Sequence, residues 1–220
     1  MSDVTIQTMG AQGDGVAQAD DKSVHIPFTL PGESVDRSRF DGDPAQIDNT
    51  SPDRIKAACS HFGRCGSCKL QHWSAQPYLD WKRSLVVQAL AKQGLSPTIE
   101  PCFPCPPASR RRVTLTAERG ESGVVLGYFG TDGTRIVDLS ECTIASPAIT
   151  DQLDNLRTIA ANLLRGSQQI QLLITECSNG LDIDVTCDLP PTEDMIGAFV
   201  RSISRSVFLR ASINQDVAVE

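Results

Sequence analysis

Three cysteines that lie close together are the residues of this sequence best suited to chemistry. Cys59, Cys65 and Cys68 occur in the segment ACSHFGRCGSCKLQH, with five residues between the first two and two residues between the last two. Thiolates are the ligands of zinc sites and of iron-sulfur clusters. Gly63 and Gly66 would let the backbone wrap closely around an inorganic centre. Because three thiolates leave one ligand position open, the spacing predicts a metal centre that a distant residue completes.

A tetrahedral zinc site is one possible completion. It would combine two C-x2-C pairs, Cys65 with Cys68 and Cys102 with Cys105. The 33 residues between these pairs exceed the ~15 to 20 that are usual in zinc ribbons. This arrangement would also leave Cys59 without a role.

A four-iron cluster is the second possible completion, with Cys59, Cys65, Cys68 and a distant cysteine as ligands. Cys142 is the candidate, because it lies between a predicted strand and a predicted helix, where side chains project into shared sites. The two remaining cysteines fall in or beside predicted hairpin strands and are expected to behave as small apolar residues. The residues by themselves leave both completions open.

The net charge of -7 conceals a basic middle segment. Residues 56–142 carry 11 basic and 7 acidic side chains, whereas residues 1–55 and 143–220 are both acidic. The same middle segment holds six of the eight cysteines. A polyanionic partner such as RNA is therefore expected to bind there.

Five basic residues of that segment are candidates for phosphate contacts: Arg110, Arg111, Arg112, Lys69 and Lys82. Guanidinium groups bind phosphates through two hydrogen bonds, although a solvated strand entry explains the arginine run equally well. Four rings beside the cysteines could stack on unpaired bases, but packing over the metal centre is the commoner use of such residues. They are His61, Phe62, His72 and Trp73.

Composition and the amino terminus bear on the compartment. No uninterrupted apolar run approaches the ~18 residues of a membrane span, and the start MSDVTIQTMG lacks a basic head followed by an apolar stretch. We therefore expect a cytoplasmic protein without membrane contact. Because that compartment is reducing, clustered cysteines there are expected to bind metal rather than to form disulfides.

Three regions are predicted to position these residues. Residues 1–52 read as short strands and turns, with a hairpin at Met9–Val16, which favours a small antiparallel barrel. Residues 53–108 contain the cysteine loop and a helix at Trp73–Gln93, for which Leu79, Val86, Ala89 and Leu90 would supply an apolar stripe. Residues 109–220 alternate strands and helices and predict a mixed α+β layer.

Periodicity and turn residues place the elements of the last region. Strands are predicted at 112–118, 123–129, 135–139, 170–176, 181–186 and 207–211, and helices at 147–164 and 191–204.

The cysteine segment resembles the cluster-binding segment of bacterial RNA (uracil-5-)-methyltransferases of the 23S ribosomal RNA type. Their pattern C-x5-C-G-x-C-x-L-Q-H is matched at every fixed position, and the phrase IVDLSECTIASP is similar to the one that carries the family's fourth cysteine. The segments GAQGDGVA and LPGE similarly resemble the family's leading TRAM-like RNA-binding barrel. The resemblance implies a 4Fe-4S cluster on Cys59, Cys65, Cys68 and Cys142, ribosomal RNA as the partner, and no obligate protein partner.

The resemblance also implies a methyl-donor site of Rossmann type, with S-adenosylmethionine as cofactor of the full-length enzyme. No matching glycine loop, nucleophilic cysteine or carboxylate base is found in these 220 residues, so no catalytic residue is assigned. We therefore expect an α+β recognition and cluster-binding portion, truncated before the catalytic domain and inactive alone. The alternatives are a stand-alone RNA-binding iron-sulfur module and a zinc-binding interaction domain.

Overall fold

The computed structural model describes residues 3–164, 169–203 and 206–219. The chain divides into two compact units. The first unit comprises Met1–Gly63 and Cys68–Pro104, and the second comprises Arg64–Ser67 and Cys105–Glu220. The cysteine loop is therefore shared between the two units along the sequence.

Short strands of the first unit form two small sheets. Strands β1 and β5 pair antiparallel, and β2, β3 and β4 form a three-stranded antiparallel sheet. Their side chains enclose an apolar core that includes Val4, Ile6, Ala17 and Val35. The strand bounds are β1 Asp3–Thr5, β2 Thr8–Met9, β3 Gly15–Ala19, β4 Lys22–Ile26 and β5 Ser34–Asp36, followed by a 3-10 helix at Pro44–Gln46.

The glycine-rich hairpin of the sequence is confirmed. Met9 pairs with Gly15 across the β2–β3 turn, and Gly13 has a φ of +88°, which favours glycine. A side chain at position 15 would collide with Thr29 and Ile6. The glycines therefore close a turn and admit close packing, so a phosphate-binding role is not needed to explain them.

A buried ion pair joins these strands to the segment that precedes the cysteines. The Glu33 side chain is fully buried, and its carboxylate accepts hydrogen bonds from Arg54 Nε and Nη2. The same carboxylate accepts from the backbone N–H groups of Leu30, at 2.7 Å, and Ser51, at 3.3 Å. Arg54 Nη2 also donates to the carbonyl of Phe28 at 2.7 Å. The donors around Glu33 come from its own turn at Leu30 and from the turn at Ser51–Arg54, so this one carboxylate joins two chain segments.

The stretch after Arg54 pairs with the stretch that follows the cysteines. Arg54 and Trp73 form an antiparallel bridge, Ile55 N–H donates to the His72 carbonyl, and Ser74 N–H donates to the Asp53 carbonyl. These contacts bring together the two ends of the loop that carries the cysteines. The loop is thereby closed at its base within the first unit.

His72 lies beneath this closure in an aromatic pocket. Its side chain is 2% exposed, and its ring contacts Phe28 and Phe62 at centroid distances of 6.4 and 5.3 Å. Burial lowers the pKa of His72 to about 4, with a further lowering from Arg54 that Glu33 partly offsets. The imidazole is therefore neutral in the folded protein at neutral pH.

The predicted helix after the cysteines is α1, Ala75–Ala91. It ends through Lys92 and Gly94, whose φ of +73° suits glycine. The expected apolar stripe is wrong as a buried face, because no residue of α1 is buried and Val86 remains 47% exposed. The helix is instead held by contacts at its start and by Arg83 Nε, which donates to the Ile99 carbonyl.

The second unit is built on one seven-stranded mixed sheet. Its strand order is β12-β11-β10-β9-β6-β7-β8, and all neighbours are antiparallel except β10 and β11. The strand bounds are β6 Arg112–Gly120, β7 Gly123–Phe129, β8 Ile136–Asp138, β9 Ile170–Glu176, β10 Leu181–Cys187, β11 Phe208–Ile213 and β12 Asp216–Val219. Helices α2 Pro147–Thr150, α3 Leu153–Leu163 and α4 Glu193–Ile203 complete the unit.

Alternating apolar residues of the central strands pack under α3 and α4 in one core. The parallel pair exists because α4 crosses over between β10 and β11. The helix predicted at 147–164 is broken into α2 and α3 at Asp151 and Gln152, and the strand β12 was not expected. Position 204, the predicted end of the last helix, lies outside the described residues.

The predicted fold class is wrong. The amino-terminal strands form two separate small sheets where one antiparallel barrel was expected, and the region expected as a mixed α+β layer, residues 109–220, is built on one seven-stranded mixed sheet within its described part. Periodicity finds strands one at a time, whereas the number of strands in a sheet is decided by pairing between distant segments such as β6 and β9. The accompanying expectation of a missing catalytic fold is treated with the comparisons below.

None of the described helices is long and apolar enough to cross a membrane.

From the buried ion pair of Glu33 and Arg54 we expect a large loss of stability when the Glu33 carboxylate is replaced by an amide. Replacing Glu33→Gln leaves the buried Arg54 guanidinium without its counter-charge, which costs about 3–5 kcal/mol when one partner of a buried pair is removed. The free energy of unfolding in urea measures this loss. The matched control is Asp20→Asn, because Asp20 is 84% exposed in its pair with Arg37 and should contribute at most about 1 kcal/mol. Equal losses in both variants would contradict the role given to Glu33.

The pH dependence of stability tests the buried imidazole. The folded pKa of His72 is about 4 and its ordinary value is 6.5, so the unfolded chain binds the proton more readily. The contribution of His72 to stability is complete above pH 6.5 and decreases as the pH falls towards 4. His72→Phe should therefore flatten the dependence of the unfolding free energy on pH over this interval, relative to the unaltered chain. An unchanged slope in this variant would show that His72 does not titrate in this way.

Candidate functional site

The middle of the cysteine loop belongs to the second unit, where it lies against the β7–β8 hairpin. Cys65 forms a bridge with Gly130, Gly66 N–H donates to the Phe129 carbonyl at 2.9 Å, and Thr131 N–H donates to the Arg64 carbonyl at 3.0 Å. Cys65 is 7% exposed. Backbone hydrogen bonds on both sides of Cys65 therefore fix its position relative to this sheet.

Gly66 is required by this contact. A Cβ atom at position 66 would lie 2.8 Å from the Gly130 oxygen and 2.9 Å from the Phe129 oxygen, closer than real side chains approach backbone. Gly66, which lies between the second and third cysteines, thus allows the close approach of two backbone segments.

Cys59 and Cys68 belong to the first unit and are both half-buried. Gln71 Oε1 accepts a hydrogen bond from the Cys59 N–H at 3.2 Å, and the Cys59 carbonyl accepts from Phe62 N–H at 3.2 Å. Gln71 therefore helps to place the first cysteine from the far end of the loop. Its position in the L-Q-H part of the motif was the available signal, which the sequence reasoning did not use.

Cys142 follows β8 in the second unit and packs, half-buried, against the apolar core of the sheet. The next residues are fixed by the strand-like segment before β6: Ala108 N–H donates to the Thr143 carbonyl and Arg110 N–H donates to the Ile144 carbonyl. Before Cys142, Arg157 Nη2 donates to the Leu139 carbonyl at 2.6 Å. The connection that carries the Cys142 thiol is therefore held in place by hydrogen bonds before and after this residue.

The eight cysteines, all of which lie within the described residues, form no disulfide bond. Among residues 3–164, 169–203 and 206–219 there is no group of three or more His, Cys, Asp or Glu side chains arranged to hold a metal ion. Neither predicted ligand set is thus assembled as a ready coordination shell. The donor chemistry itself, reduced sulfur on a compact loop, suits an iron-sulfur cluster or zinc.

The second cysteine pair of the zinc alternative, Cys102 and Cys105, consists of two residues that differ in exposure. Cys105 is exposed, and its sulfur is 3.9 Å from the Ser109 hydroxyl, whereas Cys102 is half-buried. The two belong to different units.

Three aromatic rings of the first unit pack together, and we name them the aromatic trio: Trp73, Tyr78 and Trp81. Their ring centroids are 5.7 to 6.3 Å apart. Burial raises the pKa of the Tyr78 hydroxyl, with added contributions from Cys102 and Cys68.

The predicted stacking residues are mostly inside the protein. His61, His72 and Trp73 are 6%, 2% and 7% exposed, and Phe62 is half-buried against Phe28. Residues enclosed to this degree cannot stack on an RNA base without rearrangement. The packing interpretation of these rings is the one that the geometry favours.

The five basic candidates differ in the contacts that their side chains make within the protein. Arg111 donates to the Glu176 carbonyl at 3.0 Å and Arg112 to the Thr175 hydroxyl at 3.1 Å. Lys82 lies over the rings of Trp81 and Tyr78, 5.0 and 5.7 Å from their centroids. Arg110 and Lys69 are exposed, as are the other three. All five can therefore be reached from solvent.

Comparisons with known proteins give one consistent kind of relative. No protein-family model matches the chain. An uncharacterized RNA methyltransferase of Brucella suis biovar 1 (strain 1330) is 38% identical over 220 residues, covering 99% of this chain and 53% of that protein. An uncharacterized RNA methyltransferase of Caulobacter vibrioides is 42% identical over 193 residues, covering 84% of this chain and 46% of that protein.

A solved structure shares the fold. The Pyrococcus abyssi tRNA (uracil-54, C5)-methyltransferase, determined with S-adenosyl-L-homocysteine, matches with a TM-score of 0.64 and 17% identity, over 98% of this chain and 54% of that one. The chain spans about half the length of the curated relatives it matches.

These findings correct the expectation of a truncated recognition portion that lacks the catalytic fold, and they do not support the expectation that the chain is inactive alone. The similarity to proteins named RNA methyltransferases extends over 99% of the chain, and the fold of a solved methyltransferase extends over 98% of it. Over nearly its whole length, the chain is a homologue of proteins named RNA methyltransferases.

Proposed function

We propose that the protein transfers a methyl group from S-adenosylmethionine to carbon 5 of a uridine in RNA. The observation that carries this proposal is the similarity along 99% of the chain to proteins named RNA methyltransferases. The shared fold with a tRNA (uracil-54, C5)-methyltransferase bound to S-adenosyl-L-homocysteine supports both the donor and the site on the base. The resemblance of the cysteine segment to the ribosomal RNA type favours ribosomal RNA as the substrate.

The reaction balances simply. A carbon–carbon bond forms between the donor methyl and uridine C5, the carbon–sulfur bond of the donor breaks, and the C5 hydrogen leaves as a proton. S-adenosylhomocysteine and 5-methyluridine are the products. In this reaction the exposed basic residues of the chain would bind the RNA. The backbone contacts of the cysteine loop would hold that loop in place.

Methyl transfer is tested with RNA that carries tritium at C5 of uridine. Incubation of the protein with S-adenosylmethionine and ribosomal or transfer RNA transcripts should release one tritium for each methyl group incorporated, because C5 loses its hydrogen. The matched control is the same transcript with cytidine in place of uridine. Methyl incorporation without tritium release would contradict transfer to C5, and release from transfer RNA alone would contradict the ribosomal substrate.

We further propose that Cys59, Cys65, Cys68 and Cys142 bind a 4Fe-4S cluster. The support is the cysteine spacing, the absence of disulfide bonds to any of the four residues and the anchoring of Cys65 and Cys142 by backbone contacts. A bound cluster would contribute folding energy, because its ligands are brought together only in the folded chain. A zinc site on Cys65, Cys68, Cys102 and Cys105 is less well supported, since Cys105 is exposed.

Replacement of the remote ligand tests this assignment. Cys142→Ala should lower the iron and sulfide content from about four of each per chain and remove the visible absorbance after anaerobic reconstitution. Cys177→Ala is the matched control, because Cys177 is an exposed thiol beside a hairpin strand and should leave the content unchanged. Full iron content in the Cys142 variant, or zinc as the only bound metal, would refute the proposed ligand set.

RNA contacts are proposed for the five exposed basic residues named above. Arg110 and Arg112 are the strongest candidates, because the segment through Arg110 is held by backbone bonds on both sides and Arg112 begins β6. A guanidinium on a fixed backbone loses less freedom when it binds a phosphate. Lys69 and Lys82 would add charge on the first unit.

A further inference from the structure

Two aromatic rings of α1 remain partly open to solvent. Tyr78 and Trp81 stand three residues apart, which places them on the same face of the helix. Both side chains are half-buried, and no residue of α1 is fully enclosed. Large rings usually lie in the interior, and those at the surface are enriched where proteins bind other molecules. This pair is therefore a candidate binding surface.

The two rings are held in place by the third ring of the aromatic trio. Trp73 is 7% exposed, and its ring centroid lies 6.3 Å from that of Tyr78 and 5.7 Å from that of Trp81. The backbone of Trp73 is fixed in turn by its bridge to Arg54 and by a hydrogen bond from its N–H to the Leu70 carbonyl. A surface fixed in this way loses little conformational freedom when a ligand binds.

A cation lies over both rings. The Lys82 ammonium is 5.0 Å from the centroid of Trp81 and 5.7 Å from that of Tyr78, and the Lys82 side chain is exposed. An ammonium on a flexible, exposed stem exchanges partners readily, because water hydrates it strongly. The ring faces that Lys82 covers can therefore be opened to a ligand by movement of this one side chain.

The charges of α1 favour an anionic partner. The helix carries Lys82, Arg83 and a single acidic residue, Asp80, whose carboxylate accepts hydrogen bonds from Gln76 at 3.1 and 3.2 Å. Proteins bind single-stranded nucleic acid through the same combination of flat rings, which stack on bases, and cations, which contact phosphates. A base inside a duplex offers no free face, so this surface suits an unpaired nucleotide.

We propose that an unpaired base of the RNA substrate stacks on the rings of Tyr78 and Trp81, while the Lys82 ammonium moves from those rings to a neighbouring phosphate. This inference rests on the proposed function, because it names how that RNA is held. Stacking of a base on an aromatic ring is stronger than the attraction of an exposed ammonium to the same ring, so the exchange is favourable.

The two tryptophans of the chain permit a direct test by fluorescence. In the full chain, Trp73→Phe leaves Trp81 as the emitting indole, and Trp81→Phe leaves Trp73. A short single-stranded RNA should quench the emission of Trp81, because a stacked base lies against it, and should leave that of the enclosed Trp73 nearly unchanged. An abasic strand of the same length carries the phosphates without the bases and should quench neither.

Binding affinities separate stacking from charge. Trp81→Leu and Tyr78→Leu should each weaken binding of the RNA by about 5- to 150-fold, the range for one lost stacking contact, and leave binding of the abasic strand unchanged. Trp81→Phe keeps a ring and should retain most of the affinity. Lys82→Met should weaken binding of both strands and lower the salt dependence by about one phosphate contact. The matched control is Lys92→Met, at an exposed lysine that follows the end of α1, which should change neither.

The outcomes distinguish this inference from the proposed function. Equal weakening of both strands by Trp81→Leu, or unquenched Trp81 emission in RNA-bound protein, would overturn the stacking assignment and leave methyl transfer intact. Because the fluorescence arm uses aromatic replacements, it decides the question even if a leucine variant fails to fold. Failure of the unaltered chain to bind either strand would overturn both the stacking assignment and the proposed function.

Discussion

The buried pair of Glu33 and Arg54 is the interaction on which the organisation of the first unit depends. A carboxylate without solvent contact is stable only when donors surround it, and Glu33 receives them from Arg54, Leu30 and Ser51. Because these residues lie in two turns far apart in the sequence, at Leu30–Glu33 and at Ser51–Arg54, satisfying one charge fixes the placement of the two turns relative to each other. Arg54 is also the residue that pairs with Trp73, so the order imposed by the ion pair extends to the base of the cysteine loop.

The loop above that base is constrained from two directions. Within the first unit, backbone bonds between residues 53–55 and 72–74 hold its ends together, and Gln71 positions Cys59. Within the second unit, the segment around Cys65 adds to the β7–β8 hairpin through backbone bonds that only glycine at position 66 permits. The backbone of this loop is fixed, although its thiols are not arranged as a complete set of metal ligands. This agrees with the absence, among the described residues, of a group of three or more side chains that could hold a metal ion.

The functional proposals are each supported by a separate observation. Methyl transfer to RNA is supported by similarity along the chain, and the cluster is supported by thiol spacing and anchoring. The exposed arginines and lysines offer charge for a polyanion on a protein whose net charge is negative. Each proposal therefore draws on a different physical property, so each can fail separately.

The sequence by itself determined the local features. Alternation located β6, β7, β9 and β10, glycines located the β2–β3 hairpin, and the cysteine spacing pointed to metal chemistry, because each depends only on neighbouring residues. Tertiary structure alone decided that seven strands share one sheet, that α1 buries no face, that Trp73 and His72 are enclosed, and that Glu33 pairs with Arg54. Those outcomes depend on contacts between segments far apart in the chain, and the residue patterns within either segment carry no record of its partner.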